Sequence, residues 1–105
     1  MPLKYQALDR IFPALGHPMR RYIVECLCYA REERPGWLAE RLPLTLPTIL
    51  EHLQVLERSG LIHTCKVGRV RSCRIEPESL RLIDSWITER RRVWDPWLRR
   101  LSSEE

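Results

Sequence analysis

The 105-residue sequence lacks any apolar run approaching the roughly 20 residues that a membrane-spanning helix needs. Its first five residues contain no apolar signal core, and Asp9 and Arg10 interrupt any segment that would begin one. We therefore expect a cytoplasmic protein with no membrane partner. Thiols stay reduced in that compartment, so the four cysteines are not expected to form a disulfide framework.

The residue patterns of catalysis are missing as well. No serine or cysteine lies in a nucleophile motif, and no glycine-rich phosphate loop occurs. Residues 77–105 contain neither histidine nor cysteine, and no histidine elsewhere has a partner at metal-ligand spacing. We expect no enzyme activity, no cofactor and no metal site.

Positive charge is present, and its placement is more informative than its amount. The whole chain has a net charge of +4. Residues 45–75 hold five basic and two acidic residues, a net charge of +3, whereas the remainder holds 13 basic and 12 acidic residues. A basic segment of this kind indicates a surface for a polyanion, although a solvated basic surface has the same composition.

The pattern of apolar residues, caps and turn residues predicts one mainly α-helical domain, 1–105, with a β-hairpin. A loop at 31–35 separates the second and third helices, and Gly68-Arg69 marks the hairpin turn. Asp95-Pro96 is typical of a helix start, so we expect the last helix to run through Trp94 and a fresh turn to begin there. The order is four helices, two strands and a helix: 3–15, a helix opened by His17-Pro18, 36–42, 45–59, 61–67, 70–75 and a helix from Pro77.

Several segments in this order resemble the ArsR family of bacterial regulators, which are winged helix-turn-helix repressors. The family's first signature resembles residues 12–23, which read FPALGHPMRRYI. Its helix-turn-helix is similar to LAERL at 38–42 followed by PTILEHLQVL at 47–56. Gly60-Leu61-Ile62 and the Gly68-Arg69 wing tip complete the likeness, which covers roughly residues 8–101. The resemblance implies a helix-turn-helix at 36–59, a wing at 61–75 and dimerisation helices at 3–15 and 77–101.

The fourth helix has two faces that fit this likeness. If Ile49, Leu53 and Leu56 face the core, an apolar pair, Leu46 and Leu50, is left on the opposite side. In a major groove, leucine can meet a thymine methyl group and glutamine can pair with adenine, whereas wing cations hold phosphates. The alternative is that the two leucines pack on neighbouring elements. The candidate DNA-binding residues are Thr45, Leu46, Thr48, Leu50, Glu51, Gln54, Arg58, Lys66, Arg69 and Arg71.

The chain also departs from the family. The family places glycine where Pro43 stands, and often serine and a basic residue where Leu50 and Glu51 stand. Proline cannot adopt the left-handed conformation that glycine supplies, so we expect a reshaped turn before the fourth helix. The family's cysteine-containing metal box falls on residues 32–37, which contain no thiol. The family's other familiar metal site uses histidines and carboxylates of the last helix, and residues 77–105 contain no histidine. Both familiar metal sites are therefore missing, and the motifs identify no inducer.

The last helix carries an apolar stripe broader than one small domain can cover. In the family this helix and the first one form the dimer interface, and large exposed apolar faces generally mark partner surfaces. The alternative is that its tryptophans fold back on their own domain. The expected interface of a homodimer on a palindromic operator comprises Leu8, Phe12, Ile83, Trp86, Ile87, Trp94, Trp97 and Leu98.

Two other functions stay open at this point. One is a winged-helix protein-interaction module without DNA binding, favoured by Leu46, Leu50 and Glu51 on the recognition face. The other is a thiol-responsive repressor that uses Cys65 and Cys73 on the two wing strands. A two-residue turn places their sulfurs on opposite faces, whereas a three-residue loop would bring them together. Cys26 and Cys28 lie about 200° apart around a helix and diverge.

Overall fold

A computed structural model describes residues 5–103 as five helices and three strands. The first three helices are α1 (Leu8–Leu15), α2 (Pro18–Ala30) and α3 (Pro35–Arg41), with strand β1 (Glu32–Glu33) between the last two. The fourth helix, α4, spans Leu46–Ser59, followed by β2 (Ile62–Val67), β3 (Val70–Ile75) and α5 (Pro77–Ser103). This architecture confirms the expected winged helix-turn-helix. Of the first helix predicted at 3–15, residues 3 and 4 lie outside the described residues, and residues 5–7 form a turn instead of helix, so the predicted start is too early there.

The caps of the helices follow from their sequences. The His17 ring Nδ1 accepts a hydrogen bond from the Met19 amide at 3.1 Å, and Pro18 occupies the first position of α2. Proline suits that position because its missing amide proton would have no partner there. At the C-terminal end of α4, Gly60 adopts a left-handed conformation with φ of 87°, a conformation that suits glycine and closes the helix.

The sheet differs from the prediction by one strand. The order is β1-β3-β2, and Glu32 and Glu33 pair antiparallel with Arg74 and Cys73. The predicted loop at 31–35 therefore contains a short strand, which satisfies backbone groups on the free edge of β3. Its two residues carry no periodic pattern, because two residues are too few to show one.

The hairpin has the register of a two-residue turn. Val67 pairs with Val70 across Gly68-Arg69, and Gly68 has a φ of 63°, which glycine adopts without steric cost. It follows that Cys65 pairs with Ser72 and that Cys73 pairs with Thr64.

The last helix is longer than predicted. It continues through Asp95 and Pro96 to Ser103, so the expectation of a fresh turn at Asp95-Pro96 is wrong. Proline's fixed φ is helical, and its lack of an amide proton leaves only the carbonyl of Arg92, an exposed residue, without its usual partner. The residues described extend over 61 × 35 × 20 Å with a radius of gyration of 17.4 Å, against about 13 Å for a compact domain of this size.

The core lies between the helices and the base of the sheet. The apolar stripes of α1, α2 and α4 meet there with Leu38 of α3, and Leu61, Ile62 and Cys73 close it from the sheet side. The largest side chains with almost no exposed surface are Ile23, Leu27, Leu38, Ile49, Leu53, Leu56, Leu61 and Ile62. This core fixes α4 and the wing relative to each other.

Candidate nucleic-acid interface

The turn before α4 is built around Pro43. The Leu42 amide still donates to the carbonyl of Leu38, which ends α3, and the Leu44 amide donates to the Leu42 carbonyl at 2.7 Å. This bond between residues two apart makes a γ-turn with proline at its centre. Pro43 is not among the described residues with a left-handed backbone, so the connection is made without the conformation that glycine supplies.

Helix α4 has the two faces that the sequence predicts. Ile49, Leu53 and Leu56 are 0–1% exposed, whereas Leu46 and Leu50 are 44% and 37% exposed. The two leucines are therefore partly exposed outside the core, on the side of α4 that faces α3 and the wing. The same outer face carries three exposed polar side chains: Glu51, Gln54 and Arg58.

A groove of about 540 Å³ separates the outer face of α4 from the wing. It brings together four of the predicted DNA-binding residues of the helix and one of the wing. Its lining comprises Leu50, Glu51, Leu53, Gln54, Glu57 and Arg58 from α4, with Thr64 and Arg71 from the wing.

A second hollow of about 430 Å³ lies at the N-terminal end of the same helix. Leu46 and Leu50 line it together with three of the wing cations, Lys66, Arg69 and Arg71. Arg34, which precedes α3, also lines it. Sequence reasoning missed Arg34 because it placed that residue in a loop. The only signal that would have found it is the pairing of β1 with β3, which holds this segment beside the wing.

Two side-chain hydrogen bonds join the wing to its neighbours, one to α4 and one to β1. The Thr64 hydroxyl donates to the carboxylate of Glu57 at the C-terminal end of α4. The Ser72 hydroxyl donates to Glu32 Oε1 of β1 at 2.7 Å. Since each bond joins a wing strand to a different element, they favour a fixed angle between wing and α4.

The threonines at the start of α4 make a bond between themselves. Thr45 has the extended backbone of an N-cap residue, yet its side chain accepts no hydrogen bond from the helix amides. Its hydroxyl donates instead to Thr48 Oγ1 at 3.1 Å. Thr48 is half-buried and, like Thr45, is absent from the lining of both hollows.

A cluster of basic side chains holds the opposite flank of α4 against α2. Arg20 Nε donates to His52 Nδ1 at 3.3 Å, and the rings of His52 and His17 lie 4.6 Å apart, centroid to centroid. Partial burial, then the neighbouring His17 and Arg20, lower the pKa of His52, and Glu51 opposes them. A neutral His52 is the form that can accept the bond from Arg20.

The wing cysteines do not form a pair. Cys65 is exposed, whereas Cys73 is fully buried, and the strand register places their side chains on opposite faces of the hairpin. Burial raises the pKa of the Cys73 thiol to about 11, with Glu57 acting in the same direction and Arg71 against it. The register is that of the two-residue turn, so Cys65 and Cys73 are not placed to form a disulfide with each other. Cys73 is a small core residue.

This difference predicts selective thiol chemistry. A maleimide at pH 8 should modify Cys65 in the folded protein and leave Cys73 unmodified until denaturant is added, because only a thiolate that reagent can reach will react. Mass spectrometry of peptides from native and denatured samples measures both sites. A disulfide between Cys65 and Cys73 in oxidised, folded protein would contradict the observed register.

The residues expected at a dimer interface fall into three groups. Leu8 is 3% exposed in the protomer's own core and has no surface left for a partner, so this expectation is wrong. Phe12 and Trp86 meet edge to face at a centroid distance of 5.6 Å, and Ile83 and Trp86 pack against the core. The remaining four are 44–62% exposed: Ile87, Trp94, Trp97 and Leu98.

Two further findings concern other kinds of site. Within residues 5–103, no group of three or more histidine, cysteine, aspartate or glutamate side chains is placed to hold a metal ion. Across the same residues, no helix has both the length and the apolar character needed to cross a membrane.

Comparisons with known proteins agree with this architecture. A family model described as a helix-turn-helix domain matches residues 15–65. The chain is 34% identical over 76 residues to the HTH-type transcriptional regulator Rv2034 of Mycobacterium tuberculosis, a match covering 72% of this chain and 70% of that protein.

Solved structures show the same fold. The crystal structure of the ArsR family transcriptional regulator RHA00566 superposes with a TM-score of 0.76 at 36% identity, covering 86% of this chain and 92% of that one. A homodimeric winged helix-turn-helix DNA-binding domain from Mycobacterium bovis, solved by NMR, superposes with a TM-score of 0.66 at 21% identity, covering 83% and 82%. Rv2034 and RHA00566 are both more than 30% identical to the chain, and the signature segments and the winged helix with its basic wing agree with them. The chain therefore belongs to the ArsR family of winged helix-turn-helix, DNA-binding transcriptional regulators.

Proposed function

We propose that the chain is a homodimeric repressor that binds a palindromic operator in double-stranded DNA. The observation that carries the proposal is the groove along the outer face of α4, with the cations of the wing beside it. A helix with its side chains is about 10–12 Å across, and the major groove of B-DNA is about 12 Å wide. In this proposal α4 enters the major groove and the wing follows the adjacent backbone.

The side chains divide into two roles under this arrangement. Leu46, Leu50, Glu51 and Gln54 face base edges, because they occupy the exposed side of the first two-thirds of α4. Cations contact phosphates, which carry affinity without reading sequence. The phosphate-binding set is Arg34, Arg58, Lys66, Arg69 and Arg71, with Thr45 and Thr48 close to the backbone at the start of α4.

Dimerisation is proposed from the exposed stripe of α5. Leaving Ile87, Trp94, Trp97 and Leu98 in water is unfavourable, and a second copy of the same stripe can cover them. Phe12 and Trp86 would lie at the edge of that interface. A two-fold dimer places two copies of α4 in successive major grooves about one helical turn apart, which requires a palindromic operator.

The repressor role rests on what a DNA-bound dimer can do. Residues 5–103 provide one DNA-binding face and one apolar helix face. With these two surfaces, the protein would control transcription by occupying a promoter. Such a protein would act in the cytoplasm, where a bacterial chromosome lies. In this proposal the chain forms a single DNA-binding unit over residues 1–105.

The direct test is a gel shift with the DNA upstream of the protein's own gene at two salt concentrations. We expect a discrete complex that weakens at the higher salt, because phosphate contacts release counterions. A protein-interaction module is the second candidate, and the exposure of Leu46 and Leu50 favours it. That candidate predicts no complex with any DNA at low salt.

The wing gives a more specific expectation. Arg69→Ala should weaken binding to operator and random DNA alike and reduce the slope of log K against log salt by about one unit. Arg92→Ala is the matched control, since it removes the same charge from the exposed polar face of α5. If Arg69→Ala keeps the wild-type slope, the wing tip is not in contact with phosphates.

A further inference from the structure

The carboxylate of Glu51 is the unusual feature of the recognition surface. It is exposed on the outer face of α4 and lines the groove between Leu50 and Gln54. Among residues 5–103 it takes part in no hydrogen bond or ion pair. Glu57, the other acidic residue of this basic segment, instead accepts a hydrogen bond from Thr64 and is held against the wing.

An unpaired carboxylate on this surface has a physical consequence. Beside a polyanion it repels phosphates, because like charges at close range repel each other even in bulk water. That repulsion is offset only where the carboxylate meets a hydrogen-bond donor. In the major groove, cytosine offers its N4 amino group, whereas the N6 amino group of adenine lies next to the N7 acceptor, which a carboxylate would repel.

We propose that Glu51 is a specificity-determining residue that accepts a hydrogen bond from the N4 amino group of a cytosine in each operator half-site. The assignment rests on the proposed DNA-binding function and deepens it. It follows from the exposed position of the carboxylate, the absence of a hydrogen bond or ion pair to it among the described residues, and the donor pattern of the base.

The neighbours of Glu51 extend the assignment to adjacent base pairs. Gln54 lies three residues further along the same face, a rise of about 4.5 Å, which is close to the 3.4 Å step between base pairs. Gln54 is therefore placed to pair with an adenine next to the cytosine. Leu50, which lines both the groove and the second hollow, is placed against a thymine methyl group.

The test begins with selection of half-sites from a randomised duplex library by the wild-type chain. We expect one cytosine to be fixed in each selected half-site. Replacing that cytosine by 2-pyrimidinone, which lacks the 4-amino group, should weaken wild-type binding roughly 5- to 150-fold per half-site.

Variants at position 51 show whether this side chain recognises the cytosine. Glu51→Ala should bind the cytosine and 2-pyrimidinone duplexes equally and random DNA more tightly than the wild type. Glu51→Gln should select adenine at the same position, because glutamine supplies the donor and acceptor that adenine matches. Glu25→Gln on the exposed side of α2 is the control for net charge and should keep the wild-type preference.

The outcomes separate this assignment from the function on which it rests. If the wild-type chain enriches no sequence, sequence-specific binding fails before any variant is compared. Two results would overturn the role of Glu51 and leave DNA recognition standing. One is enrichment of sites without a fixed cytosine. The other is a Glu51→Ala variant whose affinity falls as much as that of the wild type when 2-pyrimidinone replaces the cytosine.

Discussion

Trp94→Ala is expected to abolish operator binding by dissociating the dimer. Trp94 is 62% exposed in the protomer, so its loss should leave the fold and the helix content of the monomer nearly unchanged. Because both protomers carry the substitution, a two-fold interface loses two tryptophan side chains. At about 2 kcal/mol or more for each central tryptophan, the dimer should be weakened on the order of 1,000-fold.

Sedimentation velocity at micromolar concentration, combined with a gel shift, measures this effect. Arg92→Ala, on the polar face of the same stretch of α5, should remain dimeric and bind DNA with only a modest loss. A Trp94→Ala protein that stays dimeric and binds as the wild type does would place the interface elsewhere, most simply on α1 around Phe12.

Leu53→Ala is expected to cause a large loss of stability. Leu53 is 1% exposed and joins α4 to the core, so truncation leaves a cavity that the surrounding helices fill only in part. The free energy of unfolding should fall by roughly 2–5 kcal/mol, which lowers Tm by about 8 °C or more in a domain of this size. Thermal unfolding followed by circular dichroism measures both quantities.

Gln54 is the matched control because it is the next residue on the same helix and faces outwards. Gln54→Ala should change stability by no more than about 0.5 kcal/mol but cost on the order of 1–3 kcal/mol in operator discrimination. The two neighbours thus separate folding from recognition. Equal losses of stability in both variants would show that α4 does not have the buried and exposed faces described.

Sequence reasoning was most successful where local chemistry determines structure. Helical spacing identified the buried face of α4, Pro18 and Gly60 identified helix ends, and Gly68 identified the hairpin turn. Each of these signals comes from residues close together in the chain. The basic segment around the wing was likewise visible from composition, because the charge is concentrated in residues near one another in sequence.

Apart from the turn expected at Asp95-Pro96, which was a misread local signal, the errors arise where residues distant in sequence decide the outcome. Strand β1 forms because residues 32–33 pair with β3, about forty positions further along the chain. Two residues are too few to show a sequence pattern that predicts this pairing. Leu8 has the same apolar character as Phe12, and only the packed structure shows which of them faces the core. The side chains of Cys65 and Cys73 were placed only once the number of turn residues was known.

The surface of α4 was predicted in outline but not in its electrostatics. The sequence identified Glu51 as an outward residue, yet its contrast with Glu57 depends on the Thr64 hydroxyl of the wing, which reaches only one of the two carboxylates. Arg34 joins the wing cations because β1 holds it there. Both contacts join different secondary-structure elements, so a periodic pattern within one element cannot predict them.

The pairing of β1 with β3 bears on how such regulators diversify. Because the base of the hairpin is pinned at Glu32–Glu33, while its tip is a two-residue turn in solvent, residues can be inserted or deleted around Gly68-Arg69 without moving the base. An insertion between α2 and α3 would instead shift β1 and carry the hairpin with it. Descendants of this chain can therefore vary the reach of the wing along DNA independently of the angle at which α4 meets the bases.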